Sequence, residues 1–147
     1  MKSVKTNNII TLVSIIFVLF VGYLMFSFPK EDRIVGDLRK LKGAATFFYA
    51  DNLGFDNVEP EIGLLKEYIS NISKYTKTPG EYLFVENNGK LLVGYNLMAG
   101  KATGDSKILR EKLKRLAKEE LCNDMGESPY NGEDTVYMLV KKGGFKN

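Results

Sequence analysis

The chain contains no histidine and only one cysteine, Cys122. Without histidine it lacks the commonest acid/base group near neutral pH and the commonest transition-metal ligand. That argues against His-based triads, most catalytic zinc sites and haem. A lone cysteine forms no internal disulfide, so cysteine usage leaves the redox compartment open. Neither phosphate-binding glycine motif occurs, and there is no internal repeat or low-complexity linker. Charge of one sign is scarce as well: Lys2 and Lys5 account for two units of the formal +3, and without them 19 basic residues face 18 acidic ones. Nothing in that balance asks for a nucleic acid partner.

What is present first is grease. From Ile9 to Phe28 there are 20 residues without a charge, 14 of them Ile, Leu, Val or Phe. As a helix this run spans about 30 Å, the depth of the hydrocarbon layer. It reads as a single membrane span, with residues 1–8 a cytoplasmic leader and residues 29–147 on the far side, since Lys2 and Lys5 stay inside under the positive-inside bias. A cleaved export signal fits less well, because the apolar core is too long and its exit, MFSFPKEDR, is bulky where a small-x-small pattern is expected. No ionisable group lies in the span, so it holds no proton relay.

Beyond Pro29, Ile34, Leu38, Leu41, Ala45 and Phe48 alternate in steps of four and three. This predicts an amphipathic helix over about 31–52, with a head over 53–147. Pro29 sits at the junction, where it bends a helix or starts a new one, and Asn52 and Gly54 end the second segment. A short helix is expected over 60–72, burying Ile62, Leu65 and Ile69. Strands are expected over 81–87 and 90–97, turned at Asn88 and Gly89, and again over 135–142. Between them, SKILREKLKRLAKEELC predicts a helix capped by Asp105 or Ser106. It turns Leu109, Leu113, Leu116 and Ala117 inward, with Glu111 and Arg115 spaced for mutual support. The fold class is α+β, a long N-terminal helix packed on a small antiparallel sheet.

The stretch DLRKLKGAATFFYADNLGF, from Asp37 to Phe55, is similar to the post-membrane helix of type IV pilins and pseudopilins. LLKEYISNISKYTKTPGEYLFVENNGKLLVGYNL resembles the segment leading into the pseudopilin sheet, and Pro29 lies 21 residues after Asn8, near where many pilins bend. The resemblance covers roughly Asn8 to Leu97. It implies a non-enzymatic, membrane-anchored structural subunit of a pilus or of a secretion or competence pseudopilus. Where the family carries Gly, Phe and Glu around its processing site, this chain has Asn7, Asn8 and Leu12. The alternative is a signal-anchored extracytoplasmic binding or regulatory domain that does not polymerise.

The candidate assembly positions are thus Ile34, Leu38, Leu41, Ala45 and Phe48, which either pack between subunits or hold the helix to its own sheet, the second being the default for an amphipathic helix. Lys107, Arg110, Lys112, Lys114, Arg115 and Lys118 crowd one helix, but Glu111, Glu119 and Glu120 interrupt them and no aromatic residues are interleaved, so they read as a solvated face. Asp124, Glu127, Glu133 and Asp134 form a weak calcium candidate whose spacing does not match an EF-hand loop. Cys122 ends an apolar helical pattern and reads as a small hydrophobe. No cofactor or small-molecule substrate is implied; the expected partners are membrane lipid and like subunits.

Overall fold

The structure is a computed structural model that describes residues 11–19, 21, 29–52, 59–99, 106–116, 119–124 and 126–142. It divides into two compact units, Met1–Lys30 and Glu31–Asn147.

In the first unit, residues 11–19 and 21 are helical, and every residue of 11–19 is exposed. Leu12, Val13, Ile15, Ile16, Phe17, Val18 and Leu19 therefore leave large apolar side chains uncovered all around one helix. The remainder of the expected span, including Gly22 and Tyr23, lies outside the described residues. Among the described residues no helix is long and apolar enough to cross a membrane.

The second unit is α+β, with helices set against a four-stranded antiparallel sheet. Helix α1 (Lys30–Asp51) begins directly after Pro29, with Glu31 and Asp32 in its first turn where acidic groups suit the amino end of a helix. Its inward stripe is Ile34, Val35, Leu38, Leu41, Ala44, Ala45 and Phe48. Asn52 closes it, donating both its backbone N–H (3.1 Å) and its Nδ2 (2.8 Å) to the carbonyl of Phe48. Gly54 lies outside the described residues.

Strands β1 (Tyr82–Asn87) and β2 (Lys90–Asn96) form a hairpin whose two turn residues both take positive φ, 51° at Asn88 and 69° at Gly89. That combination matches the natural strand twist and suits Asn-Gly. Strand β4 (Thr135–Lys142) pairs with β2, and a two-residue strand β3 (Leu121–Cys122) pairs with β4, giving the order β1-β2-β4-β3. Side chains alternate across the sheet. Phe84, Leu91, Val93, Tyr95, Val136 and Met138 join the α1 stripe in one core, together with Ile62, Leu65, Leu109, Leu113 and Leu121. On the opposite face Gly94 lies against the ring of Tyr137, and a Cβ at Gly94 would stand 2.7 Å from two of its carbons. Gly126 packs over Leu92 and Leu139 there.

Several expectations need correction. The helix over 60–72 is instead a 3-10 turn, Ile62–Glu67, followed by the short helix α2 (Ser73–Thr76). Ile62 and Leu65, three apart, share a face in either helix type, while Asn71, Ser70 and Ser73 favour turns over a continuous α-helix. Helix α3 (Ser106–Leu116) stops short of Cys122, and its Leu116 is 45% exposed rather than inward. The chain turns at 119–120 so that Leu121, 2% exposed, enters the sheet opposite Met138. Tertiary burial of Leu121 overrides a continuous helical pattern, and the sheet has four strands where three are legible. Glu111 pairs with Lys114 (3.2 Å) in place of the expected Arg115. Asp105 and Ala117 lie outside the described residues.

Candidate functional site

Helix α1 is the element to which the assembly expectation attaches, and its two sides differ. Ile34, Leu38, Leu41, Ala45 and Phe48 are between 0% and 8% exposed, all turned into the core of their own head. The opposite side carries Gly36, Lys40, Gly43 and Phe47, spaced four, three and four apart. A Cβ at either glycine would meet nothing within 4 Å, and Phe47 is 65% exposed. The flank available to another molecule is therefore this one, rather than the stripe that periodicity singles out.

The inward side also holds Asp37, a carboxylate 3% exposed among apolar neighbours. A bare buried carboxylate is costly, so its oxygens must be satisfied. Lys74 Nζ reaches Oδ1 at 2.5 Å, Tyr75 donates its hydroxyl to Oδ1 at 3.3 Å and Tyr82 donates to Oδ2 at 2.9 Å. The rings stack in sequence, Tyr75 edge-on to Tyr82 and Tyr82 edge-on to Tyr95, each pair 5.0 Å apart. Tyr95 in turn donates to Glu81 at 3.0 Å. Burial first, then the Asp37 carboxylate, raises the phenols of Tyr75, to about 12, and of Tyr82, further still. Burial and then Glu81 push Tyr95 up to about 12. All three stay protonated donors across the physiological range. Asp37 falls at the inward helical phase, three after Ile34 and four before Leu41, and that phase was the signal available to find it. At the far end of α1, Tyr68 donates to Asp51 (2.9 Å), and Lys141 donates to Tyr49 (2.7 Å) while lying over its ring.

The loop residues considered for calcium are spread apart. Glu127 pairs with Lys90 at 2.5 Å, and Asp134 pairs with Arg110. Glu133 accepts the backbone N–H of Asn131. Asp124 and Glu133 border a cavity of about 230 Å³ with Thr135 and Tyr137. Among the described residues no group of three or more His, Cys, Asp or Glu side chains is placed to hold a metal ion. Cys122 stands in β3, not at a helix end, and donates to the carbonyl of Tyr137 at 3.5 Å. Burial raises its thiol pKa, so it is poorly nucleophilic.

A larger cavity, about 410 Å³, runs beside β1 between Pro60–Gly63 and Thr76–Gly80, with Tyr75, Tyr82 and Phe84 on its wall. Its one carboxylate, Glu61, has no acid/base partner among the lining residues. No family model, no curated protein and no solved structure matches this chain.

Proposed function

We propose that this protein is a membrane-anchored, pilin-like structural subunit of a type IV pilus or of a secretion or competence pseudopilus. The leader lies in the cytoplasm, one span covers 9–28, and the head is exported. The observation that carries the reading is the division of labour along one N-terminal sequence. An uncovered apolar helical stretch at 11–19 precedes a second helix whose own apolar stripe is consumed by an antiparallel sheet. Apolar side chains exposed around a whole helix need lipid or other helices about them. The work assigned is structural, because Asp37, the most heavily buried carboxylate among the described residues, is held by three donors within the head.

In-cell crosslinking tests the assembly half of the reading. Single cysteines at Lys40 and Phe47, in a Cys122→Ser background, are expected to give a ladder of oligomers. Cysteines at Leu38 and Leu41 should give none, being 0% exposed in the head. Monomers alone at Lys40 and Phe47, in a protein retained in the membrane, would select the non-polymerising anchored domain. That second reading is favoured by Leu12, an apolar residue where the family places its assembly carboxylate.

A further inference from the structure

The uncovered flank of α1 has a spacing that reads the same from either end. Gly36, Lys40, Gly43 and Phe47 follow at steps of four, three and four. The steps are symmetric but the residues are not, since the series begins on a glycine and ends on a phenylalanine. Turned end for end against itself, the flank therefore sets Phe47 opposite Gly36 and Lys40 opposite Gly43. Phe47 is 65% exposed, and a Cβ at either glycine would meet nothing within 4 Å. Each large side chain thus faces a notch that a missing side chain leaves open. A parallel pair in register does the reverse, setting Phe47 against Phe47 and glycine against glycine.

The charges agree with the end-for-end arrangement. At about 100° per residue, Arg33, Lys40 and Asp51 lie toward one margin of the flank and Asp32 and Arg39 toward the other, while Lys42 is off this side. Arg39 is committed to Glu120 at 2.8 Å. Asp32, Arg33, Lys40 and Asp51 are in no ion pair among the described residues, and all four are exposed. A two-fold axis perpendicular to α1 brings like margins together. Arg33 of one copy then stands within one residue, about 1.5 Å along the helix, of Asp51 of the other, and the same pair recurs at the opposite end. The two Lys40 side chains fall about 4.5 Å apart along the helix near the centre, and their length lets both ammonium groups turn into water.

Resting on the assembly reading above, which assigns contact to this flank, we infer that a second copy of this chain occupies it in an antiparallel two-fold pair, each Phe47 seated in the Gly36 notch of the other copy. An isologous contact of this kind is closed. It covers the same flank on both copies, so a paired copy is withheld from assembly through that flank until the pair opens.

Directed disulfides in the full-length, membrane-embedded chain test the pairing. In a Cys122→Ser background, two differently tagged copies are co-expressed, one carrying Gly36→Cys and the other Phe47→Cys. Mild oxidation is expected to give a mixed dimer. Phe47→Cys alone should give far less direct disulfide, because its two positions lie about 16 Å apart along the helix in the pair. Arg33→Asp should lower the mixed dimer by about threefold or more, since it breaks two exposed ion pairs at once, and should enlarge the oligomer ladder. Adding Asp51→Arg should restore the dimer. Mixed disulfides of Gly36→Cys with Lys40→Cys and of Gly43→Cys with Phe47→Cys, with none between 36 and 47, would overturn the pair in favour of a parallel contact displaced by one turn. The assembly reading would then stand. Phe47→Cys joined to an unrelated protein in place of the mixed dimer would also overturn the pair. A mixed dimer without any ladder would keep the pair and remove the polymer, whereas no intermolecular product at any of these positions would remove both.

Discussion

Tyr82, the first residue of strand β1, donates its hydroxyl to Asp37, two turns into α1, at 2.9 Å. The bond links an edge strand to the long helix across 45 residues of chain, inside a core otherwise built from aliphatic and aromatic groups. Hydrogen bonds to charged groups contribute about 1.5–3 kcal/mol, and leaving such a partner unmade in the interior costs a similar amount. Tyr82→Phe is expected to destabilise the head by about 2 kcal/mol and Asp37→Ala by about 3 kcal/mol or more, in urea unfolding of the detergent-solubilised chain. Their effects should be less than additive, because each change removes the same bond. Additive losses would show that the two residues act independently.

Alkaline pH attacks the same cluster, and with it Tyr130, whose hydroxyl donates to the Glu133 carbonyl elsewhere in the head. The phenols of Tyr75, Tyr95 and Tyr130 are each raised to about 12, all chiefly by burial. Between pH 10 and 12 the unfolded chain has lost these protons while the folded one keeps them. The folded state binds more protons there, so stability falls as pH rises through that window. Below pH 10 these groups contribute a constant amount. Unfolding free energy followed from pH 8 to 12 should be flat at first and then decline. Tyr75→Phe, which cannot ionise, should make the decline shallower.

The contact of Gly94 with Tyr137 gives a test of the sheet's outer face. A methyl at Gly94 must displace the ring, since the approach is 2.7 Å. Overpacking of this kind costs about 1–3 kcal/mol. Gly94→Ala should lower the thermal midpoint, and adding Tyr137→Ala should recover part of the loss despite the smaller side chain. A Gly94→Ala chain as stable as the parent would show that the ring moves aside freely.

The glycines of α1 behave in the opposite way. Gly36 and Gly43 cost the helix up to about 1 kcal/mol each relative to alanine, and alanine meets nothing at either place. Gly36→Ala and Gly43→Ala should therefore stabilise the monomeric chain in detergent by several tenths of a kcal/mol each. If the same variants weaken the crosslinked ladder proposed above, close approach at this flank is what the glycines serve. An unchanged ladder would separate them from assembly.

Cys122 offers a readout of local opening. Its thiol pKa is raised by burial, so the folded chain should react with thiol reagents at pH 8 far more slowly than the urea-unfolded chain. Equal rates in the two states would mean that β3 is open in the native state.

Residues with a strong period carried their structure openly. The stripe of α1 recurs over four turns, and the strands that flank Asn88 and Gly89 are bounded by a turn chemistry that few other conformations accept. Leu121 and Cys122 carried no such signal, because two residues have no period and the preceding sequence is helical in pattern. Their pairing is decided by the burial of Leu121 against Met138. Asp37 was visible by phase but not by type, since an acidic residue on an apolar face is explained only when Lys74, Tyr75 and Tyr82 arrive from distant sequence. The free flank of α1 was hidden for the converse reason: hydrophobic periodicity finds what a fold consumes.

The Asp37 clasp also has a mechanical consequence. A pull that entered the head through the start of α1 would reach the Asp37 contacts early, seven residues after Lys30. Part of that load passes sideways to α2 and the edge of the sheet through Lys74, Tyr75 and Tyr82. Under tension the sheet shares the strain with the helix from its third turn onward, and weakening this one carboxylate shifts the first point of rupture toward the far end of α1, where Tyr68 and Lys141 hold.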